Sequence, residues 1–202
     1  IFLMLKLKFS EHKLECGLDE AGRGCLAGPV TAAAVILKPN FNNKLINDSK
    51  KLSKNDREKL FEIIIKNSIS YSIQNIYPKK IDEINILNAS IMAMHKCIKN
   101  MDVKPDFLLV DGNKFRNYDD LPHETIIKGD EQYLSIASAS ILAKHSRDLY
   151  MKKLHKKFPL YFWGDNKGYP TKKHKKAIKK HGATIHHRKS FKLYDEQLIF
   201  DF

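Results

Sequence analysis

The feature that most constrains this fold is an apolar segment, Leu14 to Asp19, that runs into the paired acids Asp19-Glu20 and turns through Gly22-Arg23-Gly24. After Gly28-Pro29 the chain re-enters an apolar run, Val30-Thr31-Ala32-Ala33-Ala34-Val35-Ile36-Leu37, with the length and flanks of a largely buried strand. Two strands joined by a glycine-bearing loop commit the chain to a sheet and set two carboxylates at a strand end, where loops carry chemistry. Neighbouring residues of a regular strand point to opposite faces. Both acids therefore serve one site only if Glu20 lies where the chain is already turning. A solvated acidic turn explains the motif equally well when it stands alone.

The remaining elements extend the sheet. Tyr71 to Tyr77 reads as a third strand, and Ser53-Lys54-Asn55-Asp56 has the capping-box form that opens a helix through about Lys66. Ile84, Leu87, Ile91, Met94 and Ile98 recur at steps of three and four, which predicts one amphipathic helix over 81–99 with its stripe in the core. Phe107 to Asp111 is a short apolar strand ended by a carboxylate and Gly112, and Glu124 to Lys128 is another. Gly129-Asp130 then leads into a long helix from about Glu131 to Lys157. Its small residues Ala137, Ser138, Ala139 and Ser140 let it sit close to a sheet. Strands in a meander, then alternating with helices, indicate an α/β fold with a mixed sheet covered by helices. No repeat or linker divides residues 14–185. Trp163, with Tyr161 and Phe162, reads as packing rather than a base-stacking platform, and His181-Gly182 as a helix end.

Charge narrows the function classes. Lys and Arg number 36 against 23 Asp and Glu, and the net +13 is concentrated. Lys144 to Lys192 holds 16 Lys/Arg and two acids, a net +14 that leaves the rest near −1. A one-sided positive surface of this kind fits a polyanion, and the Lys172-Lys173-His174-Lys175-Lys176 run lacks the apolar face a membrane surface requires. His174, His181, His186 and His187 fall in the same segment and are expected to be exposed. Three cysteines without C-x-x-C spacing support neither a disulfide framework nor zinc, and fit a reducing cytoplasm. The apolar start Ile1 to Leu5 is too short for a signal-peptide core, with Met4 a candidate initiator, and no run approaches a membrane span.

Asp19, Glu20, Asp111 and Asp130 each lie at a strand end or helix start, an arrangement that lets acids converge over one sheet edge. Carboxylates gathered at one point repel unless cations neutralise them. Oxygen-only ligands favour Mg²⁺ or Mn²⁺, and two such ions about 4 Å apart can activate water and stabilise a phosphodiester leaving oxygen. Each acid has a plainer explanation: Asp111 before Gly112 can form an Asx-turn, and Asp130 can favour a helix N-terminus. Gly22-x-Gly24-x-x-Ala27 also satisfies a loose dinucleotide pattern, but that fingerprint should open a helix, whereas Gly28-Pro29 opens a strand. Three readings stay open on these residues: a metal-dependent nuclease, a non-catalytic nucleic-acid-binding protein, and a dinucleotide-dependent oxidoreductase.

In order along the chain, Gly17-Leu18-Asp19-Glu20-Ala21-Gly22-Arg23-Gly24, Asn47 to Ser53, Val110-Asp111-Gly112-Asn113, Lys128-Gly129-Asp130, Ala139 to Lys144, Arg147-Asp148, Asn166 to Thr171 and His181 to Phe191 resemble the blocks of bacterial type 2 ribonuclease H, ribonuclease HII. The resemblance implies an RNase H-like fold with a C-terminal helical extension, a single domain over 1–202 with its core in about 14–157 and the basic extension in about 158–202. It implies an endonuclease that cuts the RNA strand of RNA–DNA hybrids and ribonucleotides embedded in duplex DNA, using a two-metal site of Mg²⁺ or Mn²⁺. Asp19, Glu20, Asp111 and Asp130 match the family's metal-binding acids. By the same resemblance Gly22, Arg23 and Gly24 contact the 2′-hydroxyl and phosphates, Tyr169 packs on the sugar at the junction, and Asp48, Ser49 and Lys50 hold the backbone. A cytoplasmic monomer without membrane association is expected, and no protein partner is implied. His145-Ser146 and Ala137-Ser138 depart from the commoner pattern. Asp148 is expected to be an ion-pair partner of Lys144 and Arg147.

Overall fold

The computed structural model describes residues 5–46 and 53–194. Five strands form one sheet: β1 (Glu15–Ala21), β2 (Val30–Leu37), β3 (Ser68–Ile76), β4 (Phe107–Asp111) and β5 (His123–Ile126). Their spatial order is β3-β2-β1-β4-β5. The first three form an antiparallel meander; β4 joins β1 in parallel, and β5 joins β4 in parallel. The sheet is therefore mixed, as expected.

Helices cover both faces. On one lie α2 (Pro78–Ile84) and α3 (Ile86–Lys99), on the other α1 (Lys54–Lys66) and the long α4 (Leu134–Lys157). Alternation along β2 separates two cores: Val30, Ala32, Ala34 and Ile36 pack with Met94 and Ile98 of α3, while Ala33 and Val35 pack with Leu60 and Ile64 of α1 and Ile141 of α4. This is why the run is uncharged throughout and apolar at every position but Thr31, rather than at every second one. Gly17, at the middle of β1, lets α4 approach: a Cβ there would lie 2.6 Å from the Ile136 backbone nitrogen and closer still to the Ser135 carbonyl.

Two expectations need adjusting. The helix read over 81–99 is two helices, because Asn85 takes a left-handed φ of 64° between them and its side chain caps α3 by accepting from the Asn88 N–H. The long helix begins at Leu134 instead of Glu131. Gly129–Glu131 forms a separate 3-10 turn, with Lys128 before it also left-handed. Ser53 caps α1 as anticipated, accepting from the Asp56 N–H at 3.1 Å.

After α4 the chain forms a small unit around Trp163, comprising α5 (Trp163–Asn166), α6 (Lys172–His181) and a third core of Leu26, Ala27, Met151, Tyr161 and Ile178. Leu26 and Ala27 belong to the β1–β2 loop, so this core ties the basic C-terminal segment directly to that loop. Among the described residues no helix is long and apolar enough to cross a membrane.

Candidate active site

The pairing of β1 with β4 sets Leu18 opposite Val110, so the next residue of each, Asp19 and Asp111, come side by side at the C-terminal ends of adjacent parallel strands. Both face α4. Asp19 shares its side of β1 with Gly17 and accepts a hydrogen bond from the Ser140 hydroxyl, while Leu109, two residues before Asp111, packs on Ile136. Asp130 comes from the 3-10 turn Gly129–Glu131. The preceding residue, Gly129, donates its N–H to Asp111 Oδ1 at 2.7 Å, and Asp130 itself is 4% exposed.

Glu20 departs from the placement anticipated for it. The chain has not begun to turn at Glu20, because β2 continues to pair alongside, with Glu20 opposite Ala32 and Ala21 opposite Thr31. Alternation therefore directs Glu20 away from Asp19. At a strand end it still lies within electrostatic reach of Asp19 and Asp111, and its carboxylate accepts from Arg23 at 3.1 Å.

Burial is the largest influence on these acids. Asp19, 6% exposed, has its carboxyl pushed well above the usual carboxylate range by desolvation first and then by the charges of Glu20 and Asp111. Glu20 is raised too, chiefly by desolvation, with Arg23 opposing the rise. Such a group needs either protons or a cation, and oxygen-only donors match a hard divalent ion. Among the described residues no three His, Cys, Asp or Glu side chains form a ready-made metal cluster. Glu20 is turned to Arg23, and Asp111 holds the Gly129 N–H. Binding an ion would require the Glu20–Arg23 pair to reorganise.

The loop from Gly22 to Pro29 borders the acids. Gly22 is buried with φ +92°, and a Cβ there would meet the Arg147 guanidinium carbon at 2.7 Å. Gly24 differs: it is exposed, and a Cβ would meet nothing within 4 Å. Arg23 projects from the same loop. Tyr169, 39% exposed, stands nearby with Lys144 Nζ 5.7 Å and the Arg147 guanidinium carbon 5.9 Å from its ring centroid. A cleft of about 380 Å³ opens beside it, with Arg57, Lys144, Lys152 and Lys167 in its walls together with Glu58, Asp148 and Asp165. Asp48, Ser49 and Lys50 lie outside the described residues.

The basic segment departs from its expected exposure at particular residues. His174 and His187 are buried, their Nε2 atoms 3.3 Å apart, with Trp163 Nε1 donating to His174 and the Thr184 N–H donating to His187. Burial lowers both histidines, His187 to about 4. A buried aromatic unit needs polar partners for its indole N–H, and these histidines supply them. Asp148 is an ion-pair partner of Lys144 at 2.7 Å, but its second cation is Arg57 of α1 at 3.4 Å. Arg147 instead donates to backbone carbonyls. The His145 ring lies against Phe61, 4.4 Å between centroids and tilted by 30°, joining α4 to α1. Sequence reasoning missed Arg147 and Arg188 as buried parts of the site, since a buried arginine and a solvated lysine look alike in a basic run.

A mixed sheet with acids at the ends of its adjacent parallel strands and helices on both faces is the RNase H-like class of α/β fold. The ribonuclease HII family profile matches residues 16–194. The ribonuclease HII of Christiangramia forsetii is 58% identical over 97% of this chain and the whole of that protein. Among solved structures, ribonuclease H2 from Pyrococcus horikoshii has a TM-score of 0.75 at 25% identity, over 89% of this chain and 94% of that one. The RNase HII of Archaeoglobus fulgidus, solved in complex with PCNA, has a TM-score of 0.75 at 27% identity, over 92% of this chain and 98% of that one. The chain belongs to the ribonuclease HII family and is a ribonuclease H hydrolase.

Proposed function

We propose that this endonuclease, which hydrolyses the RNA of RNA–DNA hybrids as its family does, also cuts 5′ of single ribonucleotides embedded in duplex DNA. The products are a 3′-hydroxyl and a 5′-phosphate. The observation that carries the reading is that Asp19 and Asp111 end neighbouring parallel strands, with Glu20 within electrostatic reach of both, Asp130 following the Gly129 N–H that binds Asp111, and the Gly22–Gly24 loop continuing from β1.

Asp19, Glu20, Asp111 and Asp130 would hold two Mg²⁺ or Mn²⁺ ions. When bound there, such ions supply an activated water and charge stabilisation at the leaving oxygen. The protein's own groups do the remaining work. Ser140 orients Asp19, and the Gly129 N–H fixes Asp111. Gly24 has no conformational or packing requirement of its own to be glycine, which fits a close approach by nucleic-acid backbone. The 2′-hydroxyl is the group that separates RNA from DNA, and loop backbone groups can address it. Tyr169, with Lys144 and Arg147 close to its ring, offers a flat face to the sugar that follows. The exposed lysines of α6 suit phosphates, and Asp48-Ser49-Lys50 is proposed to add a further backbone contact.

The test is a labelled DNA duplex carrying one ribonucleotide, incubated with Mg²⁺, with Mn²⁺ and with EDTA beside an all-DNA control. Metal-dependent cleavage 5′ of the ribonucleotide is expected. Salt-sensitive binding without cleavage in every condition would overturn the reading in favour of a non-catalytic binder.

A further inference from the structure

Arg147 and Arg188 are buried, at 1% and 0% exposure, and their guanidinium donors go to backbone carbonyls. Arg188 donates to Gly28 O at 3.1 Å, Arg23 O at 2.7 Å and Gly22 O at 2.8 Å. Arg147 donates to Pro29 O at 2.9 Å, Ala27 O at 3.1 Å and Lys167 O at 2.9 Å. The Arg188 backbone N–H adds Leu26 O at 2.8 Å. Most carbonyls of the loop between β1 and β2 are thus drawn inward onto two side chains.

That arrangement fixes the donors as well. In a planar trans peptide the C=O of one residue and the N–H of the next point in opposite directions. With the Gly22 and Arg23 carbonyls turned in to Arg188, the N–H groups of Arg23 and Gly24 turn out toward the side where Gly24 is open. Neither donates to an acceptor among the described residues. Arg147 extends the frame to Tyr169: it holds the Lys167 carbonyl, Leu26 N–H donates to Gly168 O at 2.8 Å, and a Cβ on Gly168 would sit 3.2 Å from the Ala27 carbonyl carbon. Two buried cations whose guanidinium hydrogen bonds all go to backbone carbonyls are costly for a fold to keep, and a hydrophobic isostere could not aim these carbonyls. Burial lowers Arg188 to about 10, which leaves it charged at neutral pH.

We infer that Arg188 and Arg147 are positioning residues for ribonucleotide selection: their guanidinium groups turn the Arg23 and Gly24 N–H donors outward and fix their spacing from Tyr169. The inference rests on the proposed reading of the 2′-hydroxyl by this loop. It separates selectivity from general affinity, because neither side chain is exposed to the duplex.

The test uses Arg188→Lys and Arg147→Lys in the full chain, with duplexes carrying a single ribonucleotide or a 2′-fluoro nucleotide at the same position. Lysine keeps the charge but cannot reproduce the planar fork across several carbonyls. The expected result is a fall in kcat on the ribonucleotide duplex of about tenfold to a hundredfold, the scale of a 1 Å misplacement. KM should change little, and the preference over the 2′-fluoro duplex should shrink. Lysine variants with a wild-type melting curve and wild-type preference would overturn the inference. If wild-type protein cuts both duplexes equally, the reading of the loop itself fails instead. Hydrogen exchange on wild-type protein covers the case in which neither variant folds. The Arg23 and Gly24 amides should exchange fast and slow down only with the ribonucleotide duplex in Ca²⁺; slow exchange in the free protein would overturn the inference.

Discussion

Replacing Gly17 by alanine inserts one methyl group between β1 and the first turn of α4, and the structure fixes what it meets. The added carbon would lie 2.6 Å from Ile136 N, short of the 3.4 Å of ordinary contact, and nearer still to the Ser135 carbonyl. The obstacle is helix backbone, which cannot rotate aside, so sheet and helix must part by about 1 Å. Overpacking costs roughly 1–3 kcal/mol where side chains can adjust, so the upper end, about 3 kcal/mol, applies here. For a chain of this size that lowers Tm by about 6–12 °C. The separation also carries Ser140, and the turn bearing Asp130, away from Asp19, so cleavage should fall even at temperatures where the variant is folded. Calorimetry and a single-turnover cleavage assay read the two effects. A Tm within about 1 °C of wild type would refute the claim that β1 and α4 are in backbone contact.

Other perturbations separate stability from activity. Gly24→Ala should leave stability within about 0.5 kcal/mol, since its Cβ meets nothing, yet reduce cleavage; unchanged turnover would remove the loop from the substrate interface. Asp19→Asn and Asp111→Asn should abolish cleavage while duplex binding persists through the basic segment, and near-normal turnover in both would sink the metal-acid assignment. Asp19 has a raised folded pKa, so in metal-free protein its contribution to stability is present below the unfolded carboxylate pKa and is lost as pH rises. Asp19→Asn should accordingly be more stable than wild type in EDTA at neutral pH, an excess that denaturant titration would detect and that Mn²⁺ should diminish by stabilising wild type. His187 has the opposite pH dependence. Its folded value of about 4 lies below the unfolded 6.5, so stability falls as pH drops through that window, by up to about 3 kcal/mol shared with His174. His187→Asn should flatten that part of the pH–stability curve, and an unflattened curve would dismiss the cluster as its cause. Tyr169→Phe should cut a single-ribonucleotide duplex better than Tyr169→Ala; equal rates would remove the packing role.

Much of this was legible along the chain because it depends on local pattern. The uncharged run of β2, the Ser53 cap, the strand ending at Asp111 and the small residues of α4 each follow from rules spanning a few residues, and each stands within a few positions of where the pattern put it. The ordered blocks that resemble one family are likewise local, each a few residues long. What pattern could not reach was set by partners distant in sequence. Glu20 stays in a strand because β2 continues to bond beside it, which a period-two rule applied to β1 alone cannot reveal. Asp19 and Asp111 are brought together by the parallel register of β1 and β4, established across 92 residues of chain. Arg147, Arg188, His174 and His187 look like members of a solvated basic run, yet folding buries them because the β1–β2 loop and Trp163 present carbonyls and an indole N–H that need partners. Local pattern was enough for the strands, most of the helices, the charge and the identity of the acids. The tertiary structure alone decided which charges face water and which are held inside, because burial and hydrogen-bond partnership depend on groups that meet only when the sheet and helices close.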